Sequence, residues 1–258
     1  MRWPQVLMLI LLLVAAGCRI GNEPTRQATL GHTATAKDLA TARKGFITQL
    51  WAHSPAPQPY QNTKPPTGVR EVEFVSGNLK LKGWLSADAN DGKKRPAVVF
   101  LHGGWAFGDS DWKDAEPFVK AGFVLFMPML RGENGNPGSY ESFLGEVDDA
   151  VAAGRFIASQ PGIDSGKVFV AGHSVGGVLT SLVSMLPSPY QVAAAFDGYV
   201  DMESWAAGSP DARVPYDRSS PNEVLVRNPM AFATSIQFPL RFPVDRWMNY
   251  DRLPKFVG

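Results

Sequence analysis

Apolar and polar positions alternate after Gly68: Val72 and Phe74 against Glu71 and Glu73, then, past Ser76-Gly77-Asn78, Leu79, Leu81 and Leu85 against Lys80, Lys82 and Trp84. A period of two broken by a turn predicts an antiparallel hairpin at one edge of a sheet. The rhythm then changes. Continuous apolar runs at 97–101 (AVVFL), 123–127 (FVLFM), 168–171 (VFVA) and 192–196 (VAAAF) suit strands covered on both faces. Between them, Phe143, Val147, Ala150, Val151, Gly154 and Ile157 form one helical stripe, and Val175, Val178, Leu179, Leu182, Val183 and Leu186 form another. Strands alternating with helices predict an α/β protein with a mostly parallel sheet wrapped on both faces. Function in such a sheet belongs at the carboxyl ends of the strands.

Upstream, Leu39, Ala42, Phe46, Ile47 and Leu50 recur at helical spacing, which predicts one amphipathic helix from about Ala36 to Ala52 on the flank of the domain. "SPAPQPYQNTKPP" follows from Ser54 and reads as an extended, proline-rich linker. Residues 18–66 are thus expected to be a leader helix and linker, and residues 67–258 the domain.

Composition narrows the class. The 258 residues are 45% hydrophobic and 19% charged with a net charge of +1, which fits one globular domain and lacks the basic footprint of a nucleic-acid binder. One cysteine and four scattered histidines make neither an internal disulfide nor a metal-ligand cluster. No metal or cofactor is expected. The cysteine sits at the end of "MRWPQVLMLILLLVAAGC". Arg2, an apolar run from Val6 to Val14 and the small residues Ala15-Ala16-Gly17 have the layout of a secretory signal over residues 1–17. The run is shorter than the roughly 20 residues of a membrane span. Its end resembles a bacterial lipoprotein lipobox, with alanine at 15 where leucine is commoner. That resemblance implies lipidation of Cys18, a lipid anchor in the membrane and an exported protein at the outer membrane or periplasmic face; an ordinary signal peptide or an uncleaved anchor with an incidental cysteine is the alternative.

The chemistry concentrates in "VFVAGHSVGG", Val168 to Gly177. A strand breaks into Gly172-His173-Ser174-Val175-Gly176 and then into a helical stripe, the setting that mounts a serine nucleophile at a strand tip. Ser174 is therefore the candidate nucleophile, although glycine-x-serine-x-glycine also occurs as a plain turn or helix cap. His173, adjacent to it, points elsewhere at such a turn and reads as packing.

Four blocks carry a wider resemblance: "VVFLHGGW", "PMLRGENGNPGSY", "GEVDDAVAAGRFIASQPGIDSGKVFVAGHSVGG" and "NPMAFATSI". In this order they resemble the α/β-hydrolase superfamily, specifically the prolyl oligopeptidase family catalytic domain and its dienelactone-hydrolase-like relatives, over about Val69 to Leu240. Dienelactone hydrolases carry a cysteine nucleophile, so Ser174 favours the serine peptidase and esterase branches. The implied activity is hydrolysis of peptide or carboxylic ester bonds in a small substrate through an acyl-enzyme on Ser174, with backbone amides of Gly104, Trp105 and Val175 as oxyanion hole. His102 resembles the family's loop-bracing histidine, and Arg131 reads as bracing rather than substrate contact. Glu146, Asp148 and Asp149 read as a solvated helix face.

The resemblance also implies an acid after the strand that begins at Pro239-Leu240, and a histidine base beyond one further strand and helix. Asp245 is the nearest candidate acid, with Asp197 or Asp201 as a variant layout. His32, His53, His102 and His173 all precede Ser174, so the base histidine is absent from its position. A truncated or frame-shifted tail, a catalytically inactive domain that binds, or a histidine brought from the leader would each account for this.

Overall fold

The computed structural model describes residues 38–86 and 92–242. The signal segment, Cys18 and Asp245 lie outside the described residues. A hairpin of β1 (Val69–Ser76) and β2 (Leu79–Ser86) leads into β3 (Arg95–Leu101), β4 (Val124–Pro128), β5 (Ile163–His173), β6 (Ala193–Phe196) and β7 (Leu240–Arg241). The sheet order is β1-β2-β4-β3-β5-β6-β7. Only β2 runs antiparallel to both its neighbours; β4, β3, β5, β6 and β7 are parallel.

The continuous apolar runs are explained by what covers them. Ala97, Val99 and Leu101 of β3 join Val124 and Phe126 of β4 in a core with α3 (Gly145–Ala158) and α4 (Val175–Val183). Their neighbours Val98, Phe100, Leu125 and Met127 point the other way, onto Trp112, Ala115 and Phe118 of α2 (Asp109–Lys120). Each strand therefore buries both of its faces.

The leader departs from expectation. Its helix, α1, spans only Leu39–Arg43. Asp38 caps it by accepting from the Thr41 N–H at 2.7 Å, and Gly45, at φ 75°, turns the chain out of helical geometry. Leu39 does enter the core, and Arg43 ties the helix to α3 through Asp148 at 2.7 Å. Ile47, counted in the expected apolar stripe, is exposed. The proline-rich stretch is laid along the domain rather than spanning free space: the Tyr140 N–H donates to the Ser54 carbonyl at 2.9 Å, and the Ala56 N–H donates to the Gly132 carbonyl at 3.0 Å.

The charged face of α3 is also corrected. Asp148 is exposed, but Glu146 and Asp149 are fully buried. Asp149 accepts from Ser76 Oγ and from the Arg131 side chain, while Glu146 accepts the N–H groups of Glu141 and Leu144. The 130–144 loop folds over this end of α3 and replaces water as hydrogen-bond partner. Among the described residues no helix is long and apolar enough to cross a membrane.

Candidate active site

Ser174 stands between β5 and α4 with φ 52° and ψ −113°, a backbone state that costs on the order of 1–3 kcal/mol and needs surrounding structure to hold it. Tight packing supplies that hold. A Cβ on Gly172 would strike the Gly176 carbonyl, and one on Gly176 would strike the carbonyls of Leu101 and His102. A Cβ on Gly177 would lie 2.7 Å from the Phe196 carbonyl and 3.0 Å from the Gly198 Cα. These glycines are required by close approach, and they bring the elbow against both the β3 exit loop and the end of β6. The Ser174 N–H donates to the Phe196 carbonyl at 2.9 Å.

A cleft of about 270 Å³ opens over the half-buried Ser174. Val175, the first residue of α4, and Trp105, on the β3 exit loop, line it with Ser174. Gly104 precedes Trp105 with φ 69°, a conformation that favours glycine. Three of the sequence-derived site positions thus share one cleft, and Gly104, next to Trp105 in the chain, is not among its lining residues. The remaining wall is mostly apolar: Trp105 packs on Tyr140 and Phe143 with ring centroids 4.6 and 4.8 Å apart, and Met202 and Trp205 close the far side. Phe143 is not part of α3, contrary to the expected stripe. It precedes the helix at φ 73°, next to Ser142 at φ 54°.

His102 braces this loop. It is buried, with Nε2 3.0 Å from Glu133 Oε2 and Nδ1 3.0 Å from the Gly103 carbonyl. Burial alone would lower its pKa, but the Glu133 charge and hydrogen bond, with Asp111 and the Gly103 carbonyl, raise it to about 9. It is held as an imidazolium whose two N–H groups are both engaged. Arg131 braces likewise: it pairs with Asp149 at 2.8 Å and Glu141 at 2.9 Å. His173 is half-buried; desolvation lowers its pKa against the opposing pull of Asp197 and Asp114. Among the described residues no hydrogen bond joins an imidazole to the Ser174 hydroxyl.

The two variant acids separate in space. Asp201 caps α5 (Met202–Gly208), accepting from the Glu203 and Ser204 N–H groups and from Ser204 Oγ. Asp197, at φ 50° beyond β6, lines the cleft with Ser174. One participant has no signal in the sequence: Gln58, on the proline-rich strap, accepts the Trp105 N–H through Oε1 at 2.9 Å.

Residues 110–223 match the profile of the prolyl oligopeptidase family. Over that stretch the chain is similar to a prolyl oligopeptidase family domain. It is 30% identical over 131 residues to an uncharacterized peptidase of Bacillus subtilis, YtmA, covering 50% of this chain and 49% of that one. Among solved structures, the acylaminoacyl peptidase of Pyrococcus horikoshii superposes with a TM-score of 0.56 at 20% identity, covering 74% of this chain and 35% of that one. A puromycin-hydrolyzing peptidase of Mycobacterium tuberculosis gives 0.59 at 19%, covering 68% and 30%. At these identities the structural likeness is one of fold, the α/β-hydrolase fold. The chain thus spans about half the length of the Bacillus relative and about a third of either solved chain.

Proposed function

We propose that this domain is a serine hydrolase that cleaves short peptide or carboxylic ester bonds through an acyl-enzyme on Ser174. The observation that carries the reading is the strained Ser174 backbone at the strand-to-helix turn, in a residue that lines one cleft with Trp105 and Val175. Ser174 Oγ would attack the substrate carbonyl carbon and lose its proton to a base. The carbonyl oxygen becomes an oxyanion held by the Val175 amide and the Gly104 to Trp105 amides, each donor worth roughly 3 kcal/mol. Collapse expels the amine or alkoxide with a proton, and water then releases the acid. Acylated short peptides are the favoured substrates: the cleft is small and lined by Trp105, Tyr140, Phe143 and Trp205, and the Pyrococcus structure is that of an acylaminoacyl peptidase.

A second reading, a non-catalytic binding domain, is favoured by the hydrogen bonds of His53 and His102, which go to Ser139, Glu133 and Gly103 and not to Ser174. A fluorophosphonate probe separates the two. Stoichiometric labelling of Ser174 in the full chain, lost in Ser174→Ala, is the expected result; no labelling leaves the binding domain. Attachment to the membrane through a lipidated Cys18 belongs to the same proposal, and is tested by palmitate incorporation that disappears in Cys18→Ser.

A further inference from the structure

The strap at 54–60 does more than connect. The Trp105 amide hydrogen is one of the donors assigned above to the oxyanion, and Gln58 Oε1 already accepts it. Because a backbone N–H only donates, the contact fixes which end of the Gln58 carboxamide faces the loop: the oxygen. A primary carboxamide presents the same planar carbonyl as a peptide bond. Its seat exists because Gly104 lacks a side chain; a Cβ there would lie 3.2 Å from Gln58 Cδ and 3.3 Å from Nε2. Pro57, the residue before it, forms part of the cleft wall with Ser174.

The anchoring is uneven. Ser54 and Ala56 are fixed by backbone hydrogen bonds to Tyr140 and Gly132, whereas residues 57–60 are exposed. The carboxamide can therefore withdraw into water while the backbone bonds of Ser54 and Ala56 stay in place. We propose that Gln58 is a built-in competitor for the acyl site: its carboxamide oxygen takes the Trp105 amide hydrogen in place of a substrate carbonyl oxygen, so that an acylated substrate binds by displacing it. This rests on the acyl-transfer reading of the cleft.

The test uses the full chain with Ser174→Ala, which removes turnover, titrated with N-acetylphenylalanine amide and followed by the fluorescence of the cleft tryptophans Trp105 and Trp205. Losing one neutral hydrogen bond, Gln58→Ala should tighten binding by about three- to tenfold and speed hydrogen exchange at the Trp105 amide. Gln58→Glu keeps an acceptor, so it should bind no tighter than the parent and retain the protection of that amide. Unchanged, weaker or undetectable binding in Gln58→Ala overturns the proposal, as does a Gln58→Glu variant that binds as tightly as Gln58→Ala. Fluorophosphonate labelling of chains with native Ser174 keeps the two readings apart. Tighter binding in Gln58→Ala without labelling would remove acyl transfer and leave the competition standing; labelling without any Gln58 effect would do the reverse.

Discussion

His102 shows how one side chain sets a pH limit on the loop that frames the cleft. With its pKa raised from 6.5 to about 9, the folded chain keeps a proton that the unfolded chain gives up between those values. The stabilisation is complete below pH 6.5 and is lost as the pH climbs through 9; a shift of that size corresponds to something on the order of 3 kcal/mol. Glu146 acts in the same direction over a lower range. Burial raises its pKa from 4.5 to about 7, so the folded state increasingly bears the penalty of a buried charge as the pH rises between them. Thermal melts from pH 5.5 to 9.5 should therefore show a falling midpoint, and His102→Gln should flatten the slope above pH 6.5. A midpoint that rises toward pH 9 would contradict the assignment. That a histidine stood after β3 was legible in the sequence. That it carries a charge was not, because Glu133 reaches it only when the loop after β4 folds back.

At the scale of elements, α6 (Pro221–Leu225) and the residues after it join the leader to the cleft. Arg227 is fully buried. It pairs with Glu223 at 2.5 Å, donates to Thr48 Oγ1 and to the carbonyls of Glu141 and Ser142, and lies 4.0 Å over the Tyr216 ring. The carbonyl contacts restrain the two positive-φ residues Ser142 and Phe143 that shape the cleft wall. Arg227→Ala should lower unfolding free energy by about 3–5 kcal/mol, since it strands the Glu223 carboxylate in the interior; chemical denaturation measures this, and a loss under 1 kcal/mol would show the pair to be dispensable. Other elements differ in how plainly the chain announces them. β3 and β4 were legible because five consecutive apolar residues leave few alternatives. α2 was not: Trp112, Ala115 and Phe118 do recur at helical spacing, but they stand among many polar residues with Pro117 inside the helix, so the stripe is too sparse to be picked out.

For the whole molecule, the assembled cleft and its hydrogen bonding pull apart. Ser174 shares its cleft with Trp105, Val175 and Asp197, yet among the described residues no imidazole is hydrogen-bonded to its hydroxyl. Loss of a general base typically removes about 10²- to 10⁴-fold in rate, so with no imidazole on Ser174 among the described residues these 258 residues by themselves should turn over p-nitrophenyl acetate weakly; brisk hydrolysis that vanishes in Ser174→Ala would show that a base is present. The elbow was readable because five adjacent residues write it. Asp197 was named from its place after β6 but not separated there from Asp201, and Gln58 was not singled out at all, since a strap crossing from far upstream places it. The leader's other attachments have a consequence in time. Thr48 Oγ1 donates to a Glu223 oxygen 175 residues further along, and the Gln49 N–H donates to the other. At ribosomal rates of roughly 5–20 residues per second, the leader waits about 9–35 s for that partner to be made. Until then Thr48 and Gln49 lack the carboxylate that fixes them, although Arg43 and the strap at 54–56 already have Asp148, Tyr140 and Gly132 to hold.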